Sequence, residues 1–427
     1  MRLRERRMSQ GVRSIHDIDA VLDGRLVHSV FQPIVDLTTG AVVGYEALAR
    51  GPVGPLHAPD RLFSAARQAD RLAELDQLCR SAAVRGAIAS GIYAPLTLFV
   101  NIEPEILESA PLRELLLLAE SAPGRLQLVL EITERALADR PAELMATVNG
   151  LRRAGWRIAL DDVGANDLSL TFMSLLRPDI IKLDLQLVQR RPSPAVAEIM
   201  NAVNAYAERT GALILAEGIE EQQHIEVAEA LGARLGQGWR FGRPGPINRL
   251  PTHIEGLSLP QPIESPSLNS PFGCLPWAVT PRRSRKPLLT QVSAHLEREA
   301  MRLGSTCMLL ATFQIAEHFT PRVADRYHDL AEHLGFVAAI GHDLPRDESS
   351  RLRYANLADD DPVRNEWDLI VLAPHFACAL VARDLGDNGP DDEREFEFAL
   401  TYDRPTVEAA ARALMSRIQR TRASSSP

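Results

Sequence analysis

Two neighbouring carboxylates, Asp161 and Asp162, follow a short apolar run and precede Gly164. An isolated pair of this kind is most often a helix cap, because an Asp side chain accepts hydrogen bonds from the first N–H groups of a helix. At the end of a buried strand, however, two adjacent negative charges repel each other and lose solvation unless a cation compensates them. The pair therefore indicates either a cap or part of a cation site.

Polar side chains stand at or near the ends of six further apolar runs between positions 46 and 237. They are Glu46, Asn101, Glu131, Lys182, Glu217 and Gln237. Any one of them could be a cap or a solvated strand end, but chance explains the repetition poorly. Carboxylate and amide oxygens are ligands of Mg²⁺, Mn²⁺ or Ca²⁺ and not of structural zinc. The set therefore favours a site for hard divalent cations.

The set contains five carboxylates and only one lysine, so a single divalent cation would leave much of its negative charge uncompensated. Two divalent cations, bridged by a carboxylate such as Asp161, would nearly neutralise it. Two such ions about 4 Å apart stabilise the attacking and leaving oxygens of an in-line displacement at phosphorus. Lys182 would orient the attacking water or stabilise transition-state charge. Gln32 and Arg50 would hold phosphate oxygens or a base edge. The pattern predicts a metal-dependent phosphodiesterase of unspecified substrate.

Strand and helix patterns alternate over about 240 residues and would bring these side chains together. The strands are continuous apolar runs, which is typical of parallel strands buried on both faces. About eight of them fit the size and rhythm of a (β/α)8 barrel, whose catalytic groups lie where the carboxyl ends of the strands converge. We therefore predict an α/β fold with a TIM-like barrel that carries the candidate residues on one rim.

Length and charge restrict the remaining possibilities. A chain of 427 residues predicts two or three domains. Its net charge of −9 argues against polymeric nucleic acid as a partner, although a small phosphate ligand held through metal ions is compatible with it. The sequence has no run as long as a membrane span and no signal-peptide pattern, so we expect a cytoplasmic protein with no membrane contact.

The segment from about Leu26 to Pro251 resembles the EAL domain family, phosphodiesterases that hydrolyse cyclic di-GMP to linear pGpG. The motifs that carry the resemblance are FQPIVD, YEALAR, VNI, LEITE, DDVG, IKLD, AEGIE and GQGWRFGRP. The resemblance implies a barrel whose first strand is antiparallel to the others, two Mg²⁺ or Mn²⁺ ions, and cyclic di-GMP as the substrate. The family commonly forms dimers, so a homodimer through the barrel stays open.

The resemblance also implies roles for individual residues. The implied metal ligands are Glu46, Asn101, Glu131, Asp161, Asp162 and Glu217. The implied substrate contacts are Gln32, Arg50 and Gln237, and the implied catalytic groups are Lys182, Glu217 and Asp162. Glu134 matches the residue that steadies the loop over the metals.

One loop departs from the family pattern. The family's DDFGTGYSS is DDVGANDLS here, so that Val163 replaces Phe and residues 165–167 replace Thr-Gly-Tyr. In the family this loop links the metals to the dimer interface. Asn and Asp suit turns, which indicates an altered loop and not a broken one. The complete metal set favours the enzyme, while the altered loop keeps open a catalytically weak or inactive cyclic di-GMP receptor or signalling scaffold.

The composition changes twice beyond the barrel. Residues 257–287 are rich in Pro and Ser and end in a basic cluster, as is typical of an extended linker. Residues 288–422 show mixed α and β patterns and, through WDLIVLAPHFACALVARDLGD, resemble the DICT domain, a presumed sensory module. His375 and Cys378 form an HxxC without a second ligand pair, so ordinary core or surface roles are favoured over a metal site.

The predicted organisation therefore has five parts. They are a flexible basic tail over 1–14, the barrel over 15–256, the linker over 257–287, a smaller α+β sensory domain over 288–422 and a disordered tail over 423–427. The signal or protein partner of the sensory domain is left unspecified.

Overall fold

The computed structural model describes residues 17–103, 112–133, 141–153, 155–191, 193–259, 269–345, 350–386 and 390–418. Within these ranges the chain forms a closed eight-stranded barrel and a separate seven-stranded sheet. The predicted tails at 1–14 and 423–427, the middle of the predicted linker and Glu134 lie outside the described residues. Each described helix is too short or too polar to cross a lipid bilayer.

The barrel contains strands and helices in alternation. Its strands are β1 (His28–Asp36), β2 (Val42–Arg50), β3 (Thr97–Asn101), β4 (Gln127–Thr133), β5 (Arg157–Val163), β6 (Ile180–Leu183), β7 (Leu213–Ala216) and β8 (Leu235–Gln237). Its helices are α1 (Ile18–Asp23), α2 (Pro59–Gln68), α3 (Leu72–Ala89), α4 (Leu112–Glu120), α5 (Pro141–Arg153), α6 (Leu168–Leu176), α7 (Leu185–Gln189), α8 (Pro194–Thr210) and α9 (Gln222–Ala230).

The first strand runs against its neighbours, as expected. β1 pairs antiparallel with both β2 and β8. The other adjacent strands, from β2 to β8, pair in parallel. The predicted TIM-like barrel with a reversed first strand is confirmed.

The second domain is an open mixed sheet between helices. Its strands are β9 (Arg282–Arg285), β10 (Met308–Ile315), β11 (Phe336–His342), β12 (Arg353–Asn356), β13 (Glu366–Ala373), β14 (Phe376–Asp384) and β15 (Glu395–Thr401), in the order β12-β11-β10-β13-β14-β15-β9. α10 (Lys286–Leu303) and α11 (Pro321–His333) share a core with one face of the sheet. α12 (Arg404–Met415) packs in the core on the opposite face.

The end of the predicted linker is part of this sheet. Residues 282–285 form the edge strand β9, and α10 begins at Lys286. The sequence pattern predicts that the basic residues are solvated, but one of them pairs with an acid on the adjacent strand. Arg283 lies opposite Glu397, with 3.8 Å between Nη2 and Oε1. Arg282 also lies over the Phe398 ring, 5.0 Å from its centroid. An extended linker over 257–287 is therefore wrong for its last residues.

Candidate metal centre

The candidate residues reach one rim because strand side chains alternate between two faces. A layer of apolar side chains fills the barrel interior, formed by Ile34, Val43, Phe99, Val129, Ala159, Ile180, Leu215 and Leu235. Two positions after the last six of these come, in order, Asn101, Glu131, Asp161, Lys182, Glu217 and Gln237. The same alternation that packs the interior therefore directs the polar side chains into the space above it.

Lys182 lies at the centre of the carboxylates. Its Nζ is 2.7 Å from Oε1 of Glu131, 2.9 Å from Oδ1 of Asp161 and 2.8 Å from Oε1 of Glu217. Glu46 is slightly farther away, with 3.7 Å between Nζ and Oε1. Side chains from β2, β4, β5, β6 and the end of β7 thus meet around one ammonium group.

Glu46 connects this group to the amides. Asn101 Nδ2 donates to Glu46 Oε1 at 2.9 Å, and Gln237 Nε2 donates to Glu46 Oε2 at 2.6 Å. Gln237 Nε2 also lies 3.1 Å from Gln32 Oε1, while Gln32 Nε2 donates to the carbonyl of Gly242 at 3.1 Å. The antiparallel register pairs Gln32 with Glu46, which explains why the reversed first strand delivers a side chain to this site.

The paired aspartates lie in a strained segment at the end of β5. Asp162 has φ of 55° and Gly164 has φ of 101°, both in the left-handed region. A Cβ at Gly164 would lie 2.5 Å from Cδ1 of Leu187, so this position also lacks space for a side chain. One oxygen each of Asp161, Asp162 and Glu217 lies within 4.8 Å of the others. The strain therefore coincides with a potential cation-binding group.

The electrostatic balance of the site favours extra positive charge. Burial raises the pKa of Glu131 well above its ordinary value, and the charge of Glu46 adds to this shift while Lys182 opposes it. Burial also raises the pKa of Glu217 to about 8. For Lys182, burial acts to lower the pKa, but the surrounding carboxylates raise it well above its ordinary value. Without added cations, burial therefore favours the protonated forms of Glu131 and Glu217, while Lys182 stays charged.

The donor set fits hard divalent cations. Among the described residues, Glu131 Oε2 and Gln237 Oε1 are buried without a hydrogen-bond partner. The ligand atoms are carboxylate and amide oxygens, the type that Mg²⁺ and Mn²⁺ prefer. One lysine cannot balance five carboxylates, and bound cations would displace the protons that burial retains.

The remaining predicted residues occupy less central positions. Arg50 ends β2 on the same face as Glu46, and its Nη1 donates to the carbonyl of Ala49 at 2.8 Å. Among the described residues it forms no hydrogen bond or ion pair with the carboxylates, so it lies at the rim without joining the cluster. Glu134 follows β4 outside the described residues.

The structure contains a buried ion pair next to the site that the sequence analysis did not identify. Asp76 and Arg80 lie on α3 with 2.6 Å between Oδ2 and Nε, and both side chains are only 3% exposed. Asp76 Oδ1 also accepts from the backbone N–H of Glu103 at 3.0 Å, which fixes the segment that follows Asn101. The sequence does contain a signal for this pair. Asp76 and Arg80 are four residues apart, so they lie next to each other on the apolar face of the helix.

Comparison with known proteins identifies two families along the chain. The EAL domain model matches residues 17–244, and the model described as "Sensory domain in DIguanylate Cyclases and Two-component system" (DICT) matches residues 275–385. The second match begins inside the predicted linker.

Two curated relatives are named as cyclic di-GMP phosphodiesterases. The probable cyclic di-GMP phosphodiesterase PdeB of Escherichia coli is 30% identical over 241 residues, covering 54% of this chain and 45% of PdeB. The cyclic di-GMP phosphodiesterase RocR of Pseudomonas aeruginosa is 30% identical over 258 residues, covering 57% of this chain and 64% of RocR. The chain thus spans about half to two thirds of the length of these relatives.

A solved structure, the calcium/cy-diGMP complex of Klebsiella pneumoniae BlrP1, is 28% identical with a TM-score of 0.47, covering 52% of this chain and 56% of that one. The EAL match extends over more than half of the 427 residues and includes every residue of the acidic rim. The chain therefore belongs to the EAL domain family, with a DICT domain after the barrel.

Proposed function

We propose that this protein hydrolyses cyclic di-GMP to linear pGpG in a reaction that depends on two divalent cations, Mg²⁺ or Mn²⁺. The observation that carries the proposal is the convergence of Glu131, Asp161 and Glu217 within 3 Å of Lys182 Nζ at the rim of the barrel. The relatives named as cyclic di-GMP phosphodiesterases support the substrate.

The proposed metal ligands are the oxygen-bearing side chains of the rim, namely Glu46, Asn101, Glu131, Asp161, Asp162 and Glu217. When bound, divalent cations lower the pKa of a coordinated water and stabilise charge on phosphoryl oxygens. Asn101 and Gln237 hold both oxygens of Glu46 through their amide N–H groups, which fixes the orientation of this carboxylate. A preoriented carboxylate loses little conformational entropy when a cation arrives.

Lys182, Glu217 and Asp162 are the proposed catalytic groups. The charged Lys182 Nζ would orient the attacking water and stabilise negative charge that develops on the phosphoryl group. Hydrolysis would form one bond between the water oxygen and phosphorus and break one bond between phosphorus and a ribose oxygen, which takes up a proton released by the water and leaves the cyclic dinucleotide opened. Gln32, Arg50 and Gln237 would contact the substrate, with Arg50 suited to a phosphate because its guanidinium forms paired hydrogen bonds.

The proposal extends to the whole chain. Residues 15–256 would form the catalytic unit, with Glu134 steadying the loop over the metals, and residues 288–422 would form a sensory unit that changes the rate of hydrolysis. The signal or protein partner of the sensory unit is left unspecified in this proposal. The reaction would take place in the cytoplasm, where the substrate is a signalling molecule and no polymeric nucleic acid or membrane is needed.

The test measures pGpG after incubation of the purified full-length protein with cyclic di-GMP and Mn²⁺ or Mg²⁺. Glu46→Gln removes a charged ligand but keeps the shape of the side chain, and we expect it to lower kcat by at least about a hundredfold. The matched control Glu226→Gln changes an exposed glutamate on α9 and should leave the rate unchanged. A Glu46→Gln variant with a near-normal rate would contradict the proposal.

The altered loop at residues 163–167 supports a second candidate, a cyclic di-GMP receptor or signalling scaffold with little or no turnover. The two candidates differ in one measurement, because the receptor binds cyclic di-GMP without producing pGpG. Isothermal titration with cyclic di-GMP and Ca²⁺, run beside the hydrolysis assay, distinguishes them. Binding without pGpG in either Mn²⁺ or Mg²⁺ would replace the enzyme with the receptor.

A further inference from the structure

Helix α6 is enclosed between the barrel and the second domain. All of its residues from Ser169 to Leu176 are buried. Phe172 meets Phe336 of β11 edge to face, with ring centroids 5.1 Å apart and an interplanar angle of 70°. An outer barrel helix normally keeps a polar face in water. α6 carries no charged residue, and the second domain covers the side that the barrel does not.

Only a short segment separates α6 from the paired aspartates. After Asp162, the backbone N–H of Ala165 donates to the Asp162 carbonyl at 3.1 Å, and Asn166 Oδ1 accepts from the N–H of Leu168 at 2.9 Å. The helix therefore begins within a few residues of the proposed ligands, through a compact turn. Displacement of the first turn of α6 would change the position of Asp161 and Asp162.

The second domain is bound to this first turn through Ser305. Ser305 Oγ donates to Oδ2 of Asp167 at 2.5 Å, and the Ser305 carbonyl lies 3.3 Å from Thr171 Oγ1. Asp167 is the N-cap residue of α6, but its side chain caps no backbone N–H of the helix. Its carboxylate instead accepts a hydrogen bond from the other domain.

The close approach of the two domains depends on Gly335. A Cβ at this position would lie 2.3 Å from the Ser305 carbonyl oxygen and 2.4 Å from Thr171 Oγ1. Ser305 lies in a one-turn 3₁₀ helix, Gly304–Thr306, that connects α10 to β10. Movement of α10 or of the central strand β10 would therefore be transmitted directly to Ser305.

We propose that Ser305 is a positioning residue for the metal centre: through Asp167 and α6, the second domain fixes the segment that carries Asp161 and Asp162. The inference rests on the proposed function and names the route of its regulation. A change in the second domain that withdraws Ser305 would loosen the first turn of α6 and weaken cation binding. The alternative is that Ser305 only joins two domains, with no effect on the metal centre.

The first test uses the metal-free full-length protein, so that it is independent of hydrolysis. Hydrogen–deuterium exchange of peptides within residues 158–176 is compared between wild type and Ser305→Ala. Because the lost hydrogen bond involves a charged acceptor, we expect exchange to accelerate by about three- to tenfold in this segment. Ser305→Thr keeps the hydroxyl and should exchange at nearly the wild-type rate.

The second test measures affinity for Mn²⁺ alone by electron paramagnetic resonance of the unbound ion. We expect Ser305→Ala to raise the Kd by about three- to tenfold and Ser305→Thr to restore it within about twofold. Asp167→Asn should have a similar effect, and the double variant should add little to either single change. The matched control Ser284→Ala, whose hydroxyl bonds the carbonyl of its neighbour Arg285, should match wild type in both measurements.

Each outcome separates this inference from the proposed function. If Ser305→Ala lowers Tm but leaves exchange at 158–176 and Mn²⁺ affinity unchanged, Ser305 only joins the domains and the inference is wrong. If exchange and affinity change as expected while wild type produces no pGpG, the positioning role holds and the proposed enzyme activity is wrong.

Discussion

At the scale of single residues, Lys182 lies among carboxylates that would otherwise repel one another. Its Nζ contacts acids from three other strands of the barrel, and its side chain is 1% exposed. One ammonium group is too little charge for this set, so burial holds protons on Glu131 and Glu217 in its place. Protons and metal cations therefore compete for the same oxygens, so that raising the pH and raising the metal concentration both remove protons from the acids.

The pKa of Glu217 predicts how the stability of the metal-free protein changes with pH. Burial raises this pKa from 4.5 to about 8, so the folded state holds a proton that the unfolded state has released. The resulting stability is full below about pH 4.5 and disappears as pH rises through about 8. We expect Tm in the presence of EDTA to fall across this range.

Thermal denaturation from about pH 5 to about pH 9 checks this expectation. Glu217→Gln has no proton to release, so its Tm should change less with pH than that of wild type. Saturating Mn²⁺ should also reduce the pH dependence, because the bound ligands are already deprotonated. Identical pH profiles for wild type and Glu217→Gln in EDTA would rule out Glu217 as the source.

At the scale of elements, the position of the paired aspartates depends on backbone conformations that most residues avoid. Asp162 adopts a left-handed conformation, and Gly164 follows with φ of 101°. Left-handed conformations cost free energy and persist only where the surroundings impose them. Here the N–H of Asp184 donates to the Val163 carbonyl at 3.0 Å, and Leu187 packs against Gly164, so β6 and α7 help to impose the shape.

Gly164→Ala tests this dependence. The new Cβ would lie 2.5 Å from Leu187 Cδ1 in an unfavourable backbone conformation, so we expect a loss of more than about 1 kcal/mol in the free energy of unfolding. Mn²⁺ affinity should fall as well, because Asp161 and Asp162 share the segment. Urea denaturation and Mn²⁺ titration measure the two effects.

Gly150→Ala is the matched control. Gly150 lies within α5, where a Cβ would meet nothing within 4 Å. The change should stabilise the protein by about 0.5–1 kcal/mol, because Ala loses less conformational freedom than Gly in a helix. Equal stability of the two variants would show that the conformation at Gly164 is unimportant.

Much of the barrel could be predicted because its signals are local. Apolar runs that end in Glu131, Asp161 and Glu217 indicate strands with functional ends, and parallel strands bring those ends together. The reversed direction of β1 followed only from the family resemblance, since strand direction leaves no local pattern. The strand β9 was missed because its partner β15 lies more than 100 residues away in the chain. The enclosure of α6 had a signal in LSLTFMSLL, which has no charged residue to form a solvated face.

At the scale of the whole molecule, the barrel and the second domain share one continuous apolar core. This core includes Leu176 of α6 and Met145 of α5 together with Ile370 of β13 and Leu414 of α12. At the border of this core, Glu408 of α12 faces two arginines of the barrel. Its Oε2 lies 3.6 Å from Arg177 Nη2, and its Oε1 lies 3.9 Å from Arg209 Nη2. A shared core of this kind couples the unfolding of the two domains.

Phe336→Ala tests the coupling. The change removes the ring that contacts Phe172 and should lower the free energy of unfolding by about 3–5 kcal/mol. Differential scanning calorimetry of the full-length protein should show a single transition, which moves to lower temperature in the variant without splitting. Two transitions in wild type, or a variant in which only the second domain melts earlier, would show that the domains unfold independently.

The enclosure of α6 also limits how copies of this protein meet. Because the barrel and the second domain together bury α6, this helix has no exposed face for another copy to contact. Another copy could bind to it only after the two domains had separated. Self-association, where it occurs, would use a surface other than α6. The proposed coupling along α6 would therefore operate within each molecule and would not depend on protein concentration.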